Sequence, residues 1–145
     1  MTAAPRSRDR RRRDTEHRLT HDIDTWVASA SADGAPYLVP LSFDWDGESL
    51  LMATPTDSPT GRNLAATRTV RLGLGHTRDV SMIEGEVEVL GIDALPAAAG
   101  DRFAARTGFV PQALNFVRAG ETPLRRPPRT AGSASPRAAS RPGAR

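Results

Sequence analysis

The sequence predicts a mainly β domain with short helices, a small closed or nearly closed barrel of five strands in meander order. Segments with hydrophobic residues at every second position recur along the chain, which is the period of half-buried strands. Turns that contain Asp-Gly join the first three of these segments. Two stretches with helix-start residues follow the third and the fifth of these segments.

The first three strands are marked by alternation and by tight turns. A strand over residues 25–31 leads through an Ala-Asp-Gly turn into Pro36–Trp45, which alternates cleanly. Because Pro40 cannot donate to a ladder, we expect an open side or a bulge at that point of the second strand. An Asp-Gly turn leads into residues 48–54, which are apolar on both faces and are therefore predicted to form a central strand.

Two further strands and a second helix complete the predicted domain. Residues 69–75 and 80–90 alternate, and the second of these segments is expected to point its glutamates outward. Asp93 is predicted to cap a second helix that ends at Gly108. The apolar stripe of that helix comprises Leu95, Ala99 and Phe103.

The two ends of the chain differ in composition from the part between them. Residues 19–118 contain 7 arginines and 13 acidic residues, whereas residues 1–18 and 119–145 together contain 13 arginines and 4 acidic residues. Both ends are predicted to be disordered, because they have too little apolar surface to offset chain entropy. Arginine arms can bind nucleic acid, but no aromatic residue is interleaved with these arginines, so a nucleic-acid partner is not expected.

Composition also excludes several kinds of chemistry. The chain has no cysteine, and all 20 of its basic residues are arginine, which excludes thiolate sites and a catalytic lysine. The histidines, His17, His21 and His76, are scattered, so we expect no metal site. There is no apolar run of about 18 residues and no signal-peptide pattern. The sequence therefore predicts a cytoplasmic protein without a membrane span.

The best-marked point of the chain is the start of the first predicted helix. Ser58 can cap it, because a serine hydroxyl accepts a free first-turn amide, and Pro59 suits the first helical position. Unpaired amides and the helix dipole favour an anion at such an end, where Thr60, Arg62 and Asn63 add polar side chains. The pattern predicts a phosphate or carboxylate clamp or, alternatively, a well-capped surface helix with a solvated arginine.

The order of these segments resembles that of the pyridoxamine-5′-phosphate oxidase-like family, the flavin-binding split barrels. The segments that carry the resemblance are PYLVPLSF, LLMATP, DSPTGRNLAATRTVRLGLG and VSMIEGEVEV, within residues 19–108. The resemblance implies a homodimer of split β-barrels. It also implies a groove at the dimer interface that holds FMN or, alternatively, an 8-hydroxy-5-deazaflavin coenzyme.

The resemblance implies a site for each part of that cofactor. Relatives that use FMN usually have an Arg-Lys pair where this chain has Pro59-Thr60, which implies modest affinity for the phosphate. The implied contacts are Val39, Pro40, Leu41 and Ser42 with the isoalloxazine, Met52, Ala53 and Thr54 with the ribityl chain, and Ser58, Thr60, Arg62 and Asn63 with the phosphate.

No acid–base dyad or nucleophile constellation is evident in the sequence, which fits a reaction carried out by a cofactor. The implied function is a flavin- or deazaflavin-dependent oxidoreductase that transfers a hydride to or from a small-molecule substrate. One alternative is a flavin-binding or sensing protein without turnover. A weaker alternative is a nucleic-acid-associated protein that acts through its arginine-rich ends.

The C-terminal part is where the pattern and the resemblance disagree. An aromatic-rich closing strand is expected after Gly108, but only ALNFVRAG stands in its place, before a proline-rich tail. One hypothesis is that a shifted reading frame has removed the last strand. The alternative is that residues 113–118 pair as a short final strand and that the tail is a natural extension.

Overall fold

The structure is a computed structural model that describes residues 4–109 and 115–121. Residues 115–121 and Ile92 are described by their backbone alone. Of the tail predicted to be disordered, residues 119–121 lie in a strand, which corrects that part of the prediction, and residues 122–145 lie outside the described residues. No helix in the described part of the chain is long and apolar enough to cross a membrane. The helices are α1 (Arg8–His21), α2 (Pro59–Thr67), α3 (Ala97–Thr107) and a 3-10 turn at Ile92–Ala94, and the strands are β1 (Asp24–Ala30), β2 (Pro36–Trp45), β3 (Ser49–Thr54), β4 (Thr69–His76), β5 (Asp79–Leu90) and β6 (Asn115–Glu121).

The described strands form one closed antiparallel barrel in the order β1-β2-β3-β6-β5-β4. The predicted mainly β split barrel is confirmed, with strand and turn positions close to those expected. Turn glycines Gly34 and Gly47 both have the positive φ that such turns require. The side chains inside the barrel form its core: Leu19, Val27, Phe43, Leu50, Met52, Leu64, Val70, Leu72, Leu74, Ile83 and Val87.

The prediction of five strands, with the last one missing, is wrong. Strand β6 lies between β3 and β5, pairing from Ser49↔Gly120 to Thr54↔Asn115 on one side and from Gly85↔Glu121 to Leu90↔Phe116 on the other. A strand with partners on both edges leaves no unpaired edge between β3 and β5. The short final strand of the second alternative is confirmed, although it spans Asn115–Glu121. Whether the tail after it is natural or the product of a shifted reading frame stays a question for the nucleotide sequence.

The N-terminal arm is a second correction, because α1 makes most of the predicted disordered segment helical. Ser7 caps this helix by accepting a hydrogen bond from the Arg10 amide. Leu19, only 2 % exposed, enters the barrel core. Arg18 donates to the Ser81 hydroxyl at 2.7 Å and pairs with Asp79 at 2.9 Å. These anchors lie more than 60 residues away along the chain, so composition alone could not indicate them.

The helices occupy three positions around the barrel. Helix α1 closes the end where β1 begins, and α2 closes the opposite end, where Asn63 donates to the Ser29 hydroxyl at 3.2 Å. Helix α3 packs outside β2 and β3 through Phe103 and Leu51. Its predicted cap is wrong: Asp93 lies in the 3-10 turn, and α3 begins after Pro96, whose ring limits it to helix-start positions.

Candidate functional site

The barrel is split between β2 and β3. The ladder that joins these strands stops at Phe43↔Met52, so residues 36–42 of β2 pair with β1 alone. Pro40 lies in this stretch, which confirms the predicted open side. The Phe43 amide donates to the Ile23 carbonyl. Because backbone groups alternate along a strand, the amide and carbonyl of Ser42 point the other way, into the split.

The corner between β3 and α2 is held by a short hydrogen-bond chain. The Ser58 hydroxyl accepts from the Gly61 amide at 3.0 Å and donates to the Pro55 carbonyl at 2.7 Å. The Thr54 hydroxyl, 3.0 Å from that of Ser58, is therefore the donor in their contact. The predicted cap is confirmed. The cap engages the Ser58 hydroxyl, so this side chain is not free to bind a ligand while the cap is intact.

Gly61 is a residue of this corner that sequence reasoning missed. A Cβ at this position would overlap the Pro55 carbonyl oxygen and would lie 3.0 Å from the Thr56 carbonyl oxygen. Only glycine lets the incoming loop approach the first turn of α2 so closely. The sequence did offer a signal for this role, because a glycine inside the first turn of a helix lowers the stability of the helix unless the site needs it.

The polar side chains at the start of α2 differ in exposure and in hydrogen bonding. Thr60 is 2 % exposed, and its Oγ1 is the one buried side-chain N or O atom among the described residues without a hydrogen-bond partner. Asn63 is buried and is used in packing against β1. Arg62 is exposed and has no carboxylate partner within the described part of the chain. Of the four proposed phosphate ligands, Thr60 and Arg62 therefore retain free hydrogen-bonding capacity.

The strand residues of the predicted site also differ in where their side chains lie. Pro40 is exposed, and Ser42 is half-buried and donates to the Asp24 carboxylate at 2.7 Å. These two lie on the outer face of the barrel, beside the split. The other predicted side chains pack inside the chain, against the barrel core, α3 or the corner: Val39, Leu41, Met52, Ala53 and Thr54.

Comparison with protein families identifies the family of this chain. A family model described as pyridoxamine 5′-phosphate oxidase matches residues 21–137. The chain belongs to the pyridoxamine 5′-phosphate oxidase family. The match spans every strand of the barrel and confirms the resemblance read from the sequence. No curated protein matches the chain with significance.

Solved structures show the same fold at low sequence identity. HutZ from Vibrio cholerae, described as a heme storage protein, has a TM-score of 0.65 at 13% identity, over 75% of this chain and 88% of its own. An F420 reductase has a TM-score of 0.57 at 23% identity, over 74% and 92%. A putative pyridoxamine 5′-phosphate oxidase from Lactobacillus delbrueckii has a TM-score of 0.54 at 17% identity, over 79% and 88%.

Proposed function

We propose that this protein is an oxidoreductase that binds FMN or, alternatively, an 8-hydroxy-5-deazaflavin coenzyme where the split meets α2. It transfers a hydride between that cofactor and a small-molecule substrate. Family membership supports this proposal, as does the fold shared with an F420 reductase. The observation that carries it is the buried, unpartnered Thr60 hydroxyl at the same helix start as the unpaired Arg62.

The free groups at the start of α2 fit a phosphate. Leaving a buried hydroxyl without a hydrogen-bond partner costs about 1–3 kcal/mol of stability. A ligand oxygen that accepts a hydrogen bond from this hydroxyl would remove that cost. The Arg62 guanidinium adds a fixed positive charge with a fork suited to phosphate oxygens. The first-turn amides carry the positive end of the helix dipole. Fewer cations are present here than in the Arg-Lys pattern of FMN-using relatives, so moderate affinity is expected.

The cofactor, when bound, supplies the hydride chemistry, and the chain supplies binding, orientation and protection from water. Arg62 and Thr60 hold the phosphate end. The backbone of Ser42, which has no β3 partner, offers a donor and an acceptor to a polar ring edge in the split. The Gly61 corner keeps the helix start in place, because its hydrogen bonds are complete before any ligand binds.

We also propose a homodimer whose seam runs along the split. Phe43 and Met52 are both fully buried within the chain and offer no surface to a second copy. The exposed apolar side chains lie instead on the outer face of β1 and β2, where Trp26 is 51 % and Leu38 is 60 % exposed. Register places Trp26 directly opposite Pro40 on that face, so the apolar strip borders the split.

Cofactor titration tests the site. FMN and the deazaflavin are titrated separately into the wild-type protein and into Arg62→Gln and Thr60→Val. Arg62→Gln is expected to weaken binding by about tenfold to a hundredfold, the value of a hydrogen bond to a charged group. Thr60→Val, which removes one neutral hydrogen bond, is expected to weaken it by about two- to tenfold.

Arg78→Gln is the matched control, because it removes the same charge in the β4–β5 turn, at the other end of the barrel. It should leave the affinity unchanged. Wild-type affinity in both helix-start variants would place the phosphate elsewhere. A protein that binds hemin but neither flavin would contradict the proposed function, and HutZ is the reason to include that titration.

A further inference from the structure

A cavity of about 800 Å³ lies at the end of the barrel opposite α2, between α1 and the strands β4 and β5. Its volume is within the range of about 300–1,000 Å³ that small-molecule sites occupy. One wall is a single face of α1, where Arg8, Arg11 and Arg12 lie three or four residues apart. The facing wall contains Trp45 and Met82.

The cavity lining contains four arginines and three glutamates, so its net formal charge is +1, and one of the glutamates is Glu48 at the β2–β3 turn. Arg12 pairs with Glu16 at 3.2 Å, and Arg71 on the strand side pairs with Glu84 at 3.2 Å. Arg8 and Arg11 have no carboxylate partner within the described ranges. Each of them can form a bidentate fork with a carboxylate or phosphate.

The facing wall suits a flat apolar group. Trp45 is half-buried and packs against the core, so its indole is held in place. Met82 is 65 % exposed, and its sulfur lies over Gly73, next to Trp26 on the outer face of the sheet. Below them lies Ile83, which is buried. Cations on one wall opposite an apolar wall favour a ligand with an apolar body and a charged end.

Helix α1 is held in position without any ligand. The hydroxyls of Thr15 and Ser81 are hydrogen-bonded at 2.9 Å, and Arg18 joins both Ser81 and Asp79. Arg6 pairs with Asp79 as well. The cavity is therefore preformed, and a ligand does not have to order the helix in order to bind.

We infer that this cavity is a second binding site, separate from the proposed cofactor site, for an organic anion with a flat apolar body. The Arg8 and Arg11 guanidiniums bind its anionic group, and Trp45 contacts its ring. The anionic group is a carboxylate or a phosphate. Competition by naphthoate and by AMP distinguishes the two.

The charge requirement is tested with the fluorescent aromatic anion anilinonaphthalene sulfonate. The double variant Arg8→Gln/Arg11→Gln is expected to bind this probe at least tenfold more weakly than the wild type. Arg10→Gln/Arg13→Gln removes the same charge from the same helix at exposed positions outside the cavity lining, and should change affinity less than twofold. Circular dichroism checks that both variants keep their helix. Equal loss in the two variants, or no loss in either, would overturn the inference.

The position of the probe is tested by energy transfer from tryptophan. The chain has two tryptophans, Trp45 in the cavity wall and Trp26 on the outer face of β1. Trp45→Phe should abolish most of the transfer, and Trp26→Phe should preserve it. The reverse result would place the probe on the β1 face and overturn the inference. A failure of both naphthoate and AMP to displace the probe would overturn it as well. FMN affinity should be unchanged in the Arg8/Arg11 variant, and a joint loss would contradict two separate sites.

Discussion

Replacing Arg106 is expected to release α3 from the end of α1. The Arg106 guanidinium donates to the Leu19 carbonyl at 2.6 Å and to the Asp22 carbonyl, so it joins α3 to the segment between α1 and β1. It also lies 3.5 Å from the Asp44 carboxylate and 4.8 Å above the centre of the Phe43 ring. The Arg106 and Asp44 side chains are 17 % and 10 % exposed, so water screens these contacts only weakly.

The size of the effect follows from these contacts. Hydrogen bonds from a charged donor contribute about 1.5–3 kcal/mol each, and their contributions overlap when one guanidinium makes several. Arg106→Met keeps most of the apolar stem, so the loss is mainly that of the charged contacts. We expect it to lower the free energy of unfolding by about 3 kcal/mol, a large part of the 5–15 kcal/mol typical of a domain.

Urea denaturation followed by tryptophan fluorescence and far-ultraviolet circular dichroism measures this change. Arg102→Met is the matched control, since Arg102 lies 3.6 Å from the same Asp44 carboxylate but is 60 % exposed. An exposed pair contributes about 0–1 kcal/mol, so the control should change the unfolding free energy by no more than that. If Arg106→Met and Arg102→Met differ by less than about 0.5 kcal/mol, Arg106 does not join the two elements as described.

Three further predictions follow from the fold. Gly61→Ala should destabilise the protein by about 1–3 kcal/mol in the same assay because of the clash in the corner, whereas Gly100→Ala, whose Cβ meets only ordinary contacts, should be neutral or stabilising. The hydrogen bond from Arg6 lowers the pKa of Asp79 in the folded protein. The stability that this carboxylate contributes is therefore complete above the ordinary aspartate pKa of about 3.9 and is lost as the pH falls through the lower pKa of the folded state. Asp79→Asn should remove this part of the acid-unfolding curve. Light scattering should show a dimer that Trp26→Glu converts to monomer, and a wild-type monomer that binds flavin would contradict the proposed seam.

Much of the barrel could be predicted because its signals are local. The alternation of apolar residues in β2 predicted its bounds, although burial alternates only in the middle of the strand, since Tyr37 is exposed and Asp44 is buried. The start of α2 was equally clear, because Ser58 and Pro59 act on the first turn alone. The stripe of α3 was recovered as well, but its start was not, because Pro96 sets it rather than the capping propensity of Asp93.

The features that could not be predicted depend on distant partners. Helix α1 is held by contacts with Ser81 and Asp79 on β5. Strand β6 is held by pairing with β3 and with β5, which both lie far before it in the sequence. The start of α2 shows the same limit. Its residue types were predicted, but the rotation of the helix against β1, which buries Thr60 and Asn63 and exposes Arg62, follows from packing.

The reduction of bound cofactor tests the proposed oxidoreductase most directly. Protein loaded with FMN, and separately with the deazaflavin, is mixed anaerobically with a nicotinamide donor while the visible absorption of the cofactor is recorded. We expect one loaded form to lose its absorption faster than the free cofactor does, and to regain it when an oxidant is added. If both cofactors bind and neither is reduced faster than in free solution, with nicotinamide or with a reduced deazaflavin as donor, the protein binds or senses a flavin and is not an oxidoreductase.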